Sequence, residues 1–191
     1  NDIINGLLEF ARAGANPEPD ARADLGETLE AVMGDVRAAA AEAGVELRVE
    51  PFPPTHLACT PGALTSVLAN LVGNGVKYVG DGQRAPRVVV RLRDQGDRAR
   101  VEVEDNGPGL PPGAEERVFE AFRRATQSSK PGIGLGLATV KKIVEAYRGR
   151  VGVDSRPGRG STFWFEMPRA ARLPEASVPA RLSRGPDVQR V

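Results

Sequence analysis

Two amides, an ammonium and a phenol are spaced about one helical turn apart along one stretch of the sequence. Asn70 and Asn74 are four residues apart, and Lys77 and Tyr78 follow within the next turn. Residues three and four apart are neighbours on a helix surface, so these side chains are expected to share one region. An amide oxygen beside a cation suits a magnesium-bound polyphosphate, because Mg²⁺ takes oxygen ligands and shares them with phosphates. The alternative interpretation is a surface helix with solvated asparagine and lysine.

A second candidate site begins at a carboxylate that follows an alternating apolar segment. Asp105 leads into a turn in which Gly107 and Gly109 allow the backbone to approach a flat ligand closely. An ionised aspartate only accepts hydrogen bonds, so it would recognise an exocyclic amine such as that of adenine. The alternative is an ordinary Asp-Asn-Gly turn without a ligand.

Three glycines precede another predicted helix. Gly132, Gly134 and Gly136 come just before an apolar stripe at helical spacing. Free backbone N–H groups and the helix dipole at such a start favour an anion. No Lys-Ser/Thr pair follows the last glycine, which excludes a P-loop, and a polar loop precedes the first, which argues against a dinucleotide fingerprint. A hinge without a ligand is the alternative.

The elements that must position these residues are predicted from apolar periodicity and turn residues. Thr60-Pro61 caps the central helix, and Asp24 with Glu27 begins an earlier helix that ends at Gly44. The central apolar stripe is Leu64, Val67, Leu68, Leu71, Val72 and Val76.

The remaining segments complete an α+β pattern. Polar residues 123–131 are predicted to form a loop that acts as a lid. The order of elements implies helices on one face of a mostly antiparallel sheet. Strands are expected at 45–50, 55–59, 87–93, 98–104, 151–154 and 161–167, a short helix at 118–122 and a longer helix at 137–149.

Composition limits the classes of partner and compartment. A net charge of +1 provides no global basic field for nucleic acid or an anionic membrane. The single cysteine, Cys59, allows no internal disulfide and fits a reducing cytoplasm. No apolar run is long enough to span a bilayer, and the chain begins inside an apolar periodic segment. We therefore expect a cytoplasmic fragment of a longer protein, and membrane anchoring of the parent stays open.

The order and spacing of the whole set are more specific than any one motif. Together the segments resemble the N, G1, F, G2 and G3 boxes of sensor histidine kinases, over roughly 64–168. The boxes are Asn70-x-x-x-Asn74, Asp105-x-Gly107-x-Gly109, Phe119-x-x-Phe122, Gly132-x-Gly134-x-Gly136-Leu137 and Gly158-x-Gly160.

The resemblance implies the Bergerat ATP-binding fold, a two-layer α/β sandwich of a mixed, mostly antiparallel sheet on three helices with an ATP lid. It implies an end of a dimerisation helix at 1–16, an ATP-binding catalytic domain at 17–168 and a disordered tail at 169–191. Asn70, Asn74 and Lys77 would serve catalysis, with Asn74 as the Mg²⁺ ligand. The ATP-binding residues it implies are Tyr78, Asp105, Gly107, Gly109, Arg123, Arg124, Gly132, Gly134, Leu135, Gly136 and Leu137.

Two positions depart from the family pattern. Gly75 stands where alanine is usual, and a glycine inside a helix costs up to ~1 kcal/mol. Ile133 replaces the usual threonine or serine and removes a hydroxyl that would contact phosphate. The only histidine, His56, lies in a short predicted strand without the context of a phosphoacceptor.

On this pattern the chain is a protein-histidine kinase domain that binds Mg²⁺ and ATP and transfers the γ-phosphoryl group to a histidine on an absent dimerisation domain. A response regulator would be the next partner in the two-component system. One alternative is a Bergerat-fold ATPase, in which a glutamate that activates water stands where this chain has Asn70, an amide that cannot act as a base. The others are a serine-kinase-like regulator and a nucleotide-binding pseudokinase that acts as an interaction module.

Overall fold

Apart from the first predicted helix, the part of the chain that the structure describes forms three helices and seven strands. The computed structural model describes residues 7, 8, 10, 11, 13, 18, 20–79, 84–123 and 134–171. The helices are α1 (Leu25–Glu42), α2 (Pro61–Tyr78) and α3 (Gly136–Ala146). The strands are β1 (Ala23–Asp24), β2 (Glu46–Val49), β3 (His56–Leu57), β4 (Arg87–Gln95), β5 (Arg98–Asp105), β6 (Arg150–Arg156) and β7 (Gly160–Pro168).

The main sheet has five strands in the order β2-β4-β5-β7-β6. The β2–β4 pair is parallel, and the other three pairs in this sheet are antiparallel. The short strands β1 and β3 form a separate antiparallel pair. The expected mixed, mostly antiparallel sheet packed on three helices is therefore confirmed.

All three helices pack on one face of this sheet. Each residue of the apolar stripe predicted for α2 is buried, and its neighbours in the core come from α1, α3 and the inward positions of β4, β5 and β7. The opposite face carries paired charges; for example, the Arg100 guanidinium lies 3.9 Å from the centroid of the Trp164 ring. The alternation of the strands thus separates a buried apolar layer from a charged outer layer.

Local capping explains where the first two helices begin. The Asp24 side chain accepts a hydrogen bond from Glu27 N at 2.9 Å, and the Thr60 hydroxyl accepts one from Ala63 N at 3.3 Å. Pro61 occupies the first turn of α2, where a missing N–H costs nothing. These caps confirm the helix starts that the sequence predicts.

The departure from the family pattern at Gly75 has a packing explanation. A Cβ added at this residue would lie 3.1 Å from both methyl carbons of Val88 on β4. The glycine therefore allows α2 to approach the sheet closely. Its role is in the packing of the helix on the sheet and not in loosening the helix.

The short helix predicted at 118–122 is wrong. Residues 111–123 form turns, in which Val118 and Phe119 are buried beside Leu110, whereas Phe122 is 63% exposed and has a φ of 61°. Phe119 packs edge-on against Phe163 with ring centroids 6.3 Å apart. The two F-box phenylalanines consequently do not share a helix face.

Several predicted segments lie outside the described residues. Residues 7, 8, 10 and 11 of the first predicted helix are helical, while most of the 1–16 segment, Ile133, most of the predicted lid and residues 172–191 are not described. Lys142 on α3 donates hydrogen bonds to the carbonyl oxygens of Phe10 at 2.9 Å and Ala11 at 3.3 Å. Of the helices in the described part of the chain, none is long and apolar enough to cross a bilayer.

Candidate functional site

The polar face of α2 carries the four side chains that the sequence singles out. Asn70, Asn74, Lys77 and Tyr78 are all half-buried and lie off the apolar stripe that anchors the helix. Asn70 Nδ2 donates a hydrogen bond to Ser66 O at 2.9 Å, one turn earlier. This bond leaves the Asn70 carbonyl oxygen, which only accepts hydrogen bonds, facing away from its own helix turn.

The start of α3 lies directly against these asparagines. A Cβ added at Gly136 would lie 2.6 Å from Asn70 Oδ1 and 3.8 Å from Asn74 Nδ2. Glycine is therefore the residue that permits this approach between two helices that are distant in sequence. Leu135, which precedes α3, makes no side-chain capping bond. The first-turn N–H groups of α3 and two carboxamides consequently lie together, an arrangement suited to a phosphate group.

Lys77 and Tyr78 occupy the C-terminal end of α2, one to two turns beyond the asparagines. Lys77 Nζ lies 5.0 Å from the centroid of the Tyr78 ring, within the range of a cation–π contact. Eight residues separate Asn70 from Tyr78, which corresponds to about 12 Å along a helix axis. One helix face therefore presents an anion-binding end and an aromatic end at the scale of a single nucleotide.

Asp105 is the buried acid of the site, with 7% of its surface exposed at the end of β5. Its Oδ1 accepts a hydrogen bond from Gly107 N at 2.8 Å. Burial raises the pKa of the Asp105 carboxyl, and the N–H groups of Gly107 and Ser161 oppose that shift by stabilising the carboxylate. Two backbone donors thus orient a carboxylate that still has lone pairs for a ligand donor.

The glycines of the turn after β5 allow it to pack against the end of α2. A Cβ added at Gly107 would lie 2.8 Å from Asp105 Oδ1 and 3.0 Å from both Tyr78 O and Val79 Cα. No side chain fits there, so the turn brings Asp105 beside the C-terminal end of α2. Asp105 Oδ1 and the backbone oxygen of Tyr78 therefore both lie next to Gly107.

The β6–β7 turn covers the same region from the other side. Gly109 and Gly160 have φ values of 71° and 93°, and Cβ atoms there would overlap Arg156 O and Asp105 O respectively. Ser161, which was not predicted as a site residue, is 6% exposed and supplies a backbone donor to Asp105. Its position directly after the predicted G3 glycines is the signal that could have identified it.

The predicted lid residues are only partly described. Gly134 O accepts a hydrogen bond from Phe122 N at 2.9 Å, and a Cβ at Gly134 would lie 2.7 Å from Arg123 O. The Arg123 side chain, about half exposed, pairs with Glu120 at 2.9 Å. Arg124 and Gly132 lie outside the described residues.

Two predicted residues have packing roles in the structure. Leu135 is buried, and Leu137 packs against the core.

The donor set fits a metal that is shared with a ligand. No group of three or more His, Cys, Asp or Glu side chains that could hold a metal occurs in the part of the chain that the structure describes. The Asn70 oxygen near Gly136 is a neutral hard ligand, and such a ligand suits Mg²⁺ only if phosphate oxygens complete its coordination.

Comparison with known proteins agrees with this geometry. The model of a family described as histidine kinase-, DNA gyrase B- and HSP90-like ATPase matches residues 59–171. Sensor histidine kinase AruS of Pseudomonas aeruginosa is 40% identical over 187 residues, which cover 93% of this chain and 19% of AruS. The phytochrome-like protein Cph1 of Synechocystis is 32% identical over 87% of this chain and 22% of its own length. The chain thus spans about a fifth of these relatives.

Solved structures show the same fold. Full-length ShkA in complex with AMPPNP has a TM-score of 0.73 at 34% identity, over 90% of this chain and 36% of ShkA. The mycobacterial sensor histidine kinase MprB has a TM-score of 0.66 at 29% identity, over 79% of this chain and 98% of that structure.

Proposed function

The chain belongs to the histidine kinase-, DNA gyrase B- and HSP90-like ATPase family, and from this premise we propose that it is the ATP-binding catalytic domain of a two-component sensor histidine kinase. The resemblance to sensor histidine kinases is confirmed by the family match and by relatives that carry that name. The observation that carries the proposal is a pair of contacts along α2. Gly136 lies against Asn70 and Asn74, in the middle and second half of the helix, and Gly107 lies against Asp105 and the backbone of Tyr78 at its C-terminal end.

In this proposal the adenine lies at the Asp105 end. The carboxylate accepts a hydrogen bond from the exocyclic amine, and Tyr78 packs against the base. Gly107 and Gly109 contribute no side chains, so the base can lie against the backbone. The ShkA structure, which is described as a complex with AMPPNP, is consistent with an adenine nucleotide as ligand.

The triphosphate then extends toward the start of α3. Backbone N–H groups near Gly134 and Gly136 bind its oxygens, and Lys77 contributes positive charge from α2. Asn74 and Asn70 would hold Mg²⁺ between a carboxamide oxygen and the phosphates, and the ion would supply charge neutralisation there. Arg123 or Arg124 would approach the γ-phosphate once the Arg123–Glu120 pair opens.

The phosphoryl acceptor is proposed to be a histidine outside this chain. The only histidine here, His56, has its Nε2 3.3 Å from Asp24 Oδ2, at the cap of α1. This partner and its place in β3 favour a structural role. Transfer requires mainly positioning and charge neutralisation, which the site residues would supply to an imidazole nucleophile from elsewhere.

The same reasoning extends to the domain division and the partners. We place an ATP-binding domain at 17–168, preceded by the end of a dimerisation helix at 1–16 and followed by a tail at 169–191. The histidine-bearing dimerisation domain of the same protein and a response regulator are the proposed partners. A cytoplasmic location follows from the availability of ATP, whatever anchors the parent protein.

Titration with AMPPNP, with and without Mg²⁺, tests the nucleotide site. Asp105→Ala is expected to abolish detectable binding, because it removes the acceptor for the base. Asn74→Ala is expected to remove mainly the increment in affinity that Mg²⁺ adds. Unchanged affinity in both variants would refute the assignment of the site.

Hydrolysis separates the kinase from an ATPase of the same family. Asn70 cannot activate water, so the chain alone is expected to hydrolyse ATP slowly. A fast Mg²⁺-dependent ATPase activity that Asn70→Asp leaves unchanged would contradict the kinase assignment. Transfer of labelled phosphate to a histidine-bearing dimerisation domain added in trans would support it.

A further inference from the structure

The side chain of Asn106, the residue after the buried acid, bonds to the backbone at the start of β4, where Asn106 N also donates to Arg87 O at 3.4 Å. Its Oδ1 accepts a hydrogen bond from Arg87 N at 2.8 Å, and its Nδ2 donates one to Ala85 O at 2.8 Å. The β4–β5 ladder ends at the pair Val88 and Asp105. The Asn106 carboxamide therefore supplies the donor and acceptor that another peptide group of β5 would have supplied.

The segment that receives these bonds is itself anchored on its other side. Glu46 N donates a hydrogen bond to Pro86 O at 2.9 Å, and the parallel pairing of β2 with β4 begins at Glu46 and Arg87. The Asn106 side chain thus joins the end of β5 to a backbone segment that the sheet already fixes. Both of its polar groups are satisfied in one orientation, and exchanging the oxygen and nitrogen would place acceptor against acceptor and donor against donor.

Main-chain bonds also hold the backbone around the acid, since Asn106 N donates to Arg87 O at 3.4 Å and Gly158 N donates to Pro108 O at 2.7 Å. Gly107 and Gly109 follow Asn106, and glycine permits many backbone conformations. The bonds to the carboxylate itself come from Gly107 N–H and Ser161 N–H, so one of its two anchors lies in the same turn.

We propose that Asn106 is a positioning residue for adenine recognition. Its carboxamide extends the β4–β5 pairing by two side-chain-to-backbone hydrogen bonds and so holds the Asp105 carboxylate where it meets the exocyclic amine. This inference rests on the proposed function, because it requires that Asp105 bind adenine. Asn106 itself need not touch the nucleotide. The role predicted for it is discrimination between nucleotides rather than overall stability.

The experiment compares the affinity of the 191-residue chain for ATP and for purine riboside triphosphate, in which hydrogen replaces the exocyclic amine. The wild-type protein is expected to prefer ATP by roughly ten-fold, the factor for one charge-assisted hydrogen bond. Asn106→Ala should lower this preference by roughly three-fold or more, mainly through weaker binding of ATP. Asn106→Asp, which has nearly the same shape but cannot donate to Ala85 O, should lower it as well and covers the case in which the alanine variant does not fold.

The control variant removes a comparable bond far from the acid. Asp94 Oδ1 accepts from Gly96 N at 2.9 Å in the turn at the opposite end of the β4–β5 hairpin. Asp94→Ala is expected to lower thermal stability while keeping the preference for ATP. If the Asn106 variants weaken both nucleotides equally, the residue is merely structural and the inference is overturned.

The wild-type measurement separates this inference from the proposed function. A wild-type preference near one would overturn the adenine site and the inference with it. A clear wild-type preference, together with loss of ATP binding in Asp105→Ala, that both Asn106 variants retain would overturn the inference alone.

Discussion

The contact between Gly136 and Asn70 predicts a specific effect of adding one methyl group. Gly136→Ala would place a Cβ 2.6 Å from Asn70 Oδ1, well inside an ordinary C···O contact of about 3.3 Å. The Asn70 carboxamide must therefore retreat by roughly 0.7 Å, since the Cβ position is set by the backbone of α3. Such a shift displaces the amide oxygen that is proposed to face the phosphates.

The size of the effect follows from the hydrogen bond that orients Asn70. Its Nδ2 donates to Ser66 O at 2.9 Å, and losing such a bond costs about 1 kcal/mol. That cost falls on the stability of the unliganded protein and should not exceed about 1 kcal/mol, because the clash falls on the end of a half-buried side chain. Displacing the proposed contacts with phosphate should in addition weaken binding by roughly 1–2 kcal/mol, which is about five- to thirty-fold in affinity for Mg²⁺-AMPPNP.

Calorimetric titration and a thermal melt of each variant provide the assay. The control is Gly34→Ala, at an exposed position in α1 where an added Cβ would meet no atom within 4 Å. That variant should gain up to ~1 kcal/mol in stability, roughly 2–4 °C in Tm, and keep its affinity for nucleotide. If Gly136→Ala binds nucleotide like the wild-type protein, or Gly34→Ala loses as much affinity, the reasoning fails.

Four further predictions test other parts of the structure. Because burial raises the pKa of Asp105 above its ordinary value of 3.8, ATP affinity should fall as the pH drops toward that raised pKa, and the Asp105→Asn variant should lack this component of the pH dependence. The same shift means that the unliganded protein loses stability as the pH rises from 3.8 through the raised pKa. Measurements of the free energy of unfolding against pH should therefore give different slopes for the wild-type and Asp105→Asn proteins in this range. Burial raises the pKa of the Cys59 thiol to about 12, so a thiol-specific reagent should label it only upon unfolding, and rapid labelling of the native protein would contradict this packing. Gly152→Ala should lower stability by about 1–3 kcal/mol, because its Cβ would overlap the Trp164 ring, while ATP affinity stays unchanged; a variant as stable as wild type would refute that contact.

Local signals were sufficient for much of the framework. The caps at Asp24 and Thr60, the α2 stripe and the hairpin turn at Gly96, with its φ of 75°, all depend on residues close in sequence. The short strand β1 was missed, because two residues carry no measurable alternation. The parallel pairing of β2 with β4 was not predicted either, since it joins segments about forty residues apart.

The error at 118–122 has a different cause. Phe119 and Phe122 are three residues apart, which matches a helical face, yet one is buried against Phe163 and the other is exposed. A spacing of three residues does not by itself distinguish two side chains on one helix face from two side chains that point in opposite directions in consecutive turns. The positive φ at Phe122 is set by its contact with Gly134, which lies twelve residues away.

The sequence predicted which residues belong to the site but not how they are arranged in space. Residue type indicated what Asn74, Asp105 and Gly136 could each bind, and the order of the boxes linked them through the family resemblance. The contact of Gly136 with Asn70 joins residues 66 positions apart, and no periodicity encodes it. The Ser161 N–H that faces Asp105 and the hydrogen bonds of the Asn106 carboxamide are likewise tertiary features that only the folded chain reveals.

The central claim is that the two asparagines of α2 and the Asp105 turn beside the end of that helix serve one nucleotide. A crystal structure of the chain with AMPPNP and Mg²⁺ tests it most directly. The account predicts the exocyclic amine within hydrogen-bonding distance of the Asp105 carboxylate and the phosphates between Asn74 and the start of α3. A nucleotide bound elsewhere, or one that contacts only the asparagines or only Asp105, would contradict it.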